Sequence, residues 1–350
     1  MDNNSAKRMV QFELLRILAM CGVVMNHVFN YGLQIYDNFS IDVSTPWRAI
    51  LWGILELMKL LALPSVNCYI LISGYFLIDK TQFRWKGIWR IWSETWFYAV
   101  GIYLLAVALS LIQFCWNDLL ENATPILSNT YWFVTSYLAL ILVAPLLAML
   151  MKHVSKRQYQ IVLILGGIVC FQLFLGHFLM DPQQILLFVY LFLIGGYIRR
   201  YHDDKDDNRS FPVIALGGIL AIMFAYTLYK NIYVGNTQFM IYAMAYNGLV
   251  LPMSVALFMW VKQWNIRWPA LRSAIYAIAP LSFAVYIIHT QPVVDSWLWK
   301  TVSGWLDSCH LFLLPFVCII ITLLIFVVCI SIDYLRVRLA KWIYQLPKRY

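Results

Sequence analysis

Apolar stretches long enough to cross a bilayer recur along this chain, and that recurrence decides the fold class. A hydrocarbon core of about 30 Å takes roughly 20 apolar residues per helix. Ten such stretches can be placed, near 10–30, 64–79, 90–114, 131–151, 159–179, 184–198, 211–229, 237–260, 274–294 and 311–333. The second is preceded by a tilted outer segment, 49–62, broken off at Pro64, and Pro252 is expected to kink the eighth. Only 12% of the 350 residues are charged while 62% are hydrophobic, and the mean hydropathy is +0.71. A soluble domain of this size needs more charged surface than that. The expectation is an all-α, polytopic integral membrane bundle of about ten transmembrane helices, a single domain over 1–350 with no appended soluble domain and no cleavable signal peptide.

The net charge of +9 does not point to nucleic acid, because the basic residues are not clustered on one soluble face. All but five of the 26 Lys and Arg residues fall in segments that share one side when the spans alternate. The exceptions are Arg48, Lys230 and Lys300 on the other side, and Arg16 and Lys59 within apolar stretches. Basic loops stay cytoplasmic, so both termini are placed in the cytoplasm and the protein in the cell (inner) membrane. The basic segments are Lys80–Arg90, 152–157, the polar stretch Arg199–Ser210, 261–273 and a tail from Arg336 onward. The outer loops are 31–48, an acidic one with Asp118 and Glu121, a tight turn at Asp181 and Pro182, and 295–310 with Trp297, Trp299 and Trp305 suited to the interface. Seven Cys lie in or beside apolar spans without a CxxC pair, which argues against a zinc or iron–sulfur site; no metal is expected.

The first span, VQFELLRILAMCGVVMNHVFNY over 10–31, carries the chemistry. Ionisable groups inside a bilayer are costly and point to function. Arg16 and His27 are eleven residues apart, close to three helical turns, so they share a face with about 16 Å between them. Glu13, three residues before Arg16, is placed to pair with it, and Asn26 and Asn30 set amides near His27. The ordinary alternative is an Arg reaching the interface and a hydrogen-bonded interfacial His. On the orientation above, Arg16 lies toward the cytoplasm, while His27, Asn67 and His289 lie toward the outer side at one level. A His suits proton transfer near neutral pH, and an amide or a second ring can orient it; Asn67 taken alone reads first as an interhelical hydrogen bond. Lys86 and Arg90, four apart, could face one phosphate, although positive-inside topology alone demands such residues. Glu56 and Lys59 are spaced to pair on one face. His153 and His202 read as solvated, and His177 and His310 sit at outer span ends.

Glu13-Leu-Leu-Arg16 followed by ten residues and His27 resembles the Arg-x10-His signature of the membrane acyltransferase-3 family. Val66–Phe76, VNCYILISGYF, is similar to its second signature, an acidic or amide residue, an apolar run and Ser-Gly-Tyr/Phe. Lys86 and Arg90 match the basic pair that follows, and Ser282–Pro292, SFAVYIIHTQP, matches a late Tyr-x-x-His-x-Pro segment. Asn67 stands where many members have Asp. The stretch Tyr131–Tyr137 lacks the Glu of a common branch, which points to members associated with exopolysaccharide acylation.

The resemblance implies an integral membrane O-acyltransferase, usually an O-acetyltransferase acting on extracellular polysaccharide or another cell-surface glycan. It implies acetyl-CoA as donor substrate, with His27, Arg16 and Glu13 in the catalytic set. Asn67, Ser73, Tyr75, Lys86, Arg90 and His289 would contact donor or acceptor. The partners implied are acyl-CoA, a glycan or lipid-linked sugar acceptor, membrane lipids and polysaccharide-assembly proteins. His27 serves either as general base or as covalent acyl carrier; spacing alone does not choose. A lipid-linked saccharide flippase or polysaccharide exporter is the rival reading, since ten spans, a polar interior stripe and interfacial aromatics suit it too.

Overall fold

The computed structural model describes residues 9–34, 45–175, 182–202, 210–234 and 248–345, and these are helical with connecting turns. Fourteen helices are described: α1 (Val10–His27), α2 (Pro46–Ala62), α3 (Ser65–Leu77), α4 (Trp85–Ala108), α5 (Trp116–Ala123), α6 (Trp132–Lys152), α7 (Lys156–Leu175), α8 (Pro182–Tyr201), α9 (Ser210–Val234), α10 (Val250–Lys262), α11 (Pro269–Ile278), α12 (Ser282–His289), α13 (Pro292–Asp307) and α14 (Leu314–Gln345). Seven segments are long and apolar enough to cross a membrane by length and composition. This is a membrane protein. Of the ten expected spans, the three outside that set correspond to α7, α8 and a stretch of which only α10, from Val250 onward, is described. His177 and Asp181 lie outside the described residues.

Several boundaries differ from expectation, each for a local reason. Residues 295–310 do not form a loop: α13 occupies most of them. Pro292 fits its first turn, where a missing N–H costs nothing, and the Gln291 side chain accepts from the backbone N–H of Val293 and Val294. Its buried positions Trp299, Val302, Ser303 and Leu306 fall at i, i+3, i+4 and i+7, one helical face. Trp297 and Trp305 are exposed as expected, but Trp299 is only 6% exposed. The predicted acidic loop contains α5. The expected basic loop 80–90 ends early, because α4 starts at Trp85 and takes Lys86 and Arg90 into its first turns. Likewise α11 starts at Pro269 within the expected loop 261–273. The ninth span is broken by a 3-10 turn, Ala279–Leu281, where Pro280 cannot donate to the ladder. Pro252 falls in the first turn of α10, where its missing N–H removes no helical bond; the expected span before residue 248 lies outside the described residues.

The basic tail is helical as far as Gln345, and part of it is structural. Arg336 Nε donates to Asp333 Oδ1 at 2.6 Å, its Nη2 reaches Glu94 Oε1 at 3.2 Å, and Tyr98 donates to Asp333 at 2.7 Å. This buried cluster ties α4 to α14. Arg200, in the stretch read as solvated, donates to Asp79, to the Met151 carbonyl and to the Ile78 carbonyl. It thereby joins α8 to the ends of α3 and α6.

The tightest packing is α3 on α8. A Cβ added at Gly74 would lie 2.1 Å from the Phe192 carbonyl oxygen, and one at Gly195 would lie 2.3 Å from that of Leu71. Without a hydrophobic driving force in lipid, small residues let helices approach closely. The Gly of the Ser73-Gly74-Tyr75 signature is thus a packing residue. α1 lies among α2, α3, α10, α11, α12 and α14, so its polar face looks into the bundle.

Candidate active site

α1 ends at His27 and runs on as a π-helical turn, Val28–Gly32. Such turns are uncommon and often sit at functional sites. Lys59 on α2 is buried and donates through Nζ to Asn30 Oδ1 in this turn. Asn26 donates to the Ala62 carbonyl at the end of α2. Thus the two amides flanking His27 both fasten its backbone to α2. Glu56, one turn before Lys59, is fully buried as well, so both residues expected to pair lie inside the bundle, with the Lys59 ammonium turned to Asn30.

His289 closes α12 and is fully buried; His27 is partly exposed. Their rings meet, with His289 Nε2 3.0 Å from His27 Nδ1. His289 Nδ1 lies 2.5 Å from the Val285 carbonyl oxygen. A carbonyl only accepts, so His289 carries its proton on Nδ1 and, when neutral, offers an Nε2 lone pair. His27 must then donate through Nδ1, which leaves the lone pair of its Nε2 available. The order of donors and acceptors matches a base oriented by a partner ring. Around the pair stand Tyr31, 5.4 Å from the His27 ring centre, and Trp299, 6.1 Å from it and 6.4 Å from that of His289. The Trp299 indole N–H donates to Asp295 Oδ1 at 2.8 Å. Burial raises the Asp295 carboxyl from its ordinary value, and the indole hydrogen bond opposes that shift.

The motif around His289 resolves into separate tasks. The His pairs with His27, Gln291 caps α13 and donates to Asn122 Oδ1 on α5 at 3.2 Å, and Pro292 starts α13. Their sum folds α13 back over the histidines.

The Arg16 Nη1 donates to both carboxylate oxygens of Glu13 at 3.2 Å. Glu13 is buried, while the Arg16 side chain is 34% exposed. Its Nε and Nη2 have no hydrogen-bond partner among the described residues, so three N–H donors remain for an anion. Tyr69 on α3 donates to the Arg16 carbonyl at 2.8 Å, fixing this turn of α1.

Other expected positions lie elsewhere. Asn67 donates to Ser254 Oγ on α10 at 3.0 Å; it is an interhelical link and orients neither imidazole. Ser73 bonds the Tyr69 carbonyl and the Tyr137 hydroxyl. Tyr75 packs on Phe12, Phe76 and Phe258, with the Arg199 guanidinium 5.2 Å above its ring. Lys86 and Arg90 are exposed.

The chain matches a family model described as "Acyltransferase domain", Acyl_transf_3, over residues 9–334. It belongs to the acyltransferase-3 family. No curated protein and no solved structure gives a match. In this acyltransferase-3 chain the matched region takes in both histidines, the Arg16–Glu13 pair and α13. Sequence reasoning missed Asp295 and Trp299. Their i, i+4 spacing behind a Gln-Pro helix start was the available signal, hidden because the segment read as an interfacial loop.

Proposed function

We propose that this protein is a cell-membrane O-acyltransferase that moves an acetyl or similar short acyl group from acyl-CoA to a sugar hydroxyl of a surface glycan. The observation that carries the reading is the relay from the Val285 carbonyl through His289 to His27, which leaves His27 Nε2 as a base. That nitrogen takes the proton from the acceptor hydroxyl as its oxygen attacks the thioester carbonyl. The thioester C–S bond breaks, and the CoA sulfur leaves with the proton returned by the imidazolium. The products are the sugar ester and CoA. The same lone pair could take the acyl group first; a burst of CoA release without acceptor separates that order from direct transfer.

Arg16 lies about 16 Å along α1 from His27. With both termini cytoplasmic, its open guanidinium edge meets the donor phosphates, and the thin pantetheine arm runs toward His27. Exposed Lys86 and Arg90 add positive charge on the same side. Arg16→Ala is expected to raise the KM for acetyl-CoA about ten- to a hundredfold, the loss of one or two charge-assisted hydrogen bonds, with a smaller effect on kcat. Lost activity at an unchanged donor KM would make Arg16 structural.

Mass analysis of the surface glycan from cells with and without the gene tests the function. Loss of the acyl ester with the same amount of glycan is expected. Loss of the glycan itself would favour an exporter instead.

A further inference from the structure

Beside the histidines, α13 places an aromatic ring and a carboxylate side by side. Tyr31, in the π-helical turn, is 49% exposed and packs 5.9 Å from Trp299. Trp299 is buried and holds Asp295 by its indole N–H, and Asp295 is partly exposed. The Tyr31 ring meets His27 edge-to-face at 5.4 Å, so anything stacked on Tyr31 lies next to the catalytic base. The arrangement is braced from α13, where Ser303 Oγ accepts from Gln34 Nε2 at 3.1 Å. A Cβ at Gly32 would meet Val302 at 2.9 Å. Many other exposed aromatic rings, such as Trp89, Trp116 and Trp342, suit the membrane interface. Tyr31 differs in touching the reacting histidine and in lying within electrostatic reach of the held carboxylate.

Resting on the acyl-transfer reading above, we propose that Tyr31 and Asp295 form the acceptor subsite, which binds one pyranose ring of an uncharged or amino sugar. The apolar C–H face of the ring stacks on Tyr31, whose π face is negative. Asp295, acceptor-only when ionised, takes hydrogen bonds from ring hydroxyls and leaves a neighbouring hydroxyl toward His27 Nε2. A carboxylate lining the subsite repels a uronic acid, which sets the charge class of the acceptor. Trp299 is a positioning residue: it fixes Asp295 and backs Tyr31.

The test uses the full-length protein in liposomes, radiolabelled acetyl-CoA and the surface glycan extracted from cells lacking the gene. Asp295→Asn keeps an acceptor for the Trp299 N–H, so the fold is retained. It is expected to raise the glycan KM about ten- to a hundredfold while the acetyl-CoA KM, which reads the donor end of the site, does not follow it. Tyr31→Leu should raise the glycan KM about tenfold, and Tyr31→Trp should restore it. Mass fragmentation should place the ester on an uncharged or amino sugar. An unchanged glycan KM in both Asp295→Asn and Tyr31→Leu overturns the subsite, and an ester on a uronic acid overturns its charge selectivity. If the unaltered protein transfers nothing to the glycan, the function falls and the subsite with it.

Discussion

His27→Ala is expected to abolish acyl transfer, by at least 10²- to 10⁴-fold in kcat, the range a positioned acid–base group contributes. The protein should still accumulate in the membrane and unfold near its usual temperature in detergent. His27 is partly exposed, and its removal leaves one buried acceptor, His289 Nε2, unpaired at a cost of about 1–3 kcal/mol. That cost lowers stability without emptying the folded state. His289→Phe is the companion experiment. It removes the acceptor for His27 Nδ1–H, so the tautomer that exposes the Nε2 lone pair is no longer enforced. Loss of the partner that orients a metal-bound His typically costs 10- to 100-fold, and a loss of similar order is expected here in kcat with donor KM unchanged. Near-normal kcat in His27→Ala would sink the assignment. A His289→Phe protein with normal kcat would sink the relay while sparing His27.

The largest loss of stability is expected at the α3–α8 contact. Gly74→Val and Gly195→Val each drive a side chain against a neighbouring carbonyl, with Cβ at 2.1 and 2.3 Å from it. Neither oxygen can move without its helix, so the two helices must separate. Overpacking costs about 1–3 kcal/mol where side chains can shift, and more is expected here because backbone must. Gly101→Ala is the control: a Cβ there meets nothing within 4 Å. Thermal unfolding in detergent should rank Gly74→Val and Gly195→Val well below Gly101→Ala. Equal melting temperatures for all three would remove the packing argument. Activity should fall with stability in the two severe variants, because α3 also carries Tyr69, which holds the Arg16 carbonyl.

What the sequence determined by itself is local in origin. Apolar stretches long enough to cross lipid and scarce charge place the chain in a membrane, and those properties belong to each stretch on its own. Within α1, the spacing of Glu13, Arg16 and His27 follows from helical period alone, and the Glu13–Arg16 pair is present. The meeting of His27 with His289, 262 residues away, could be expected only to the level of depth. Contact, ring nitrogens and tautomer depend on how α12 packs on α1. Asn67 was expected at the same depth, and its interhelical reading is the one present: the amide bonds Ser254, a partner that only the packing of α3 on α10 selects. α13 shows the limit of sequence reasoning, since its Trp residues suit a membrane interface as well as a helix folded over a site. Only the tertiary structure chose, by giving the face of Trp299, Val302, Ser303 and Leu306 a surface to bury against.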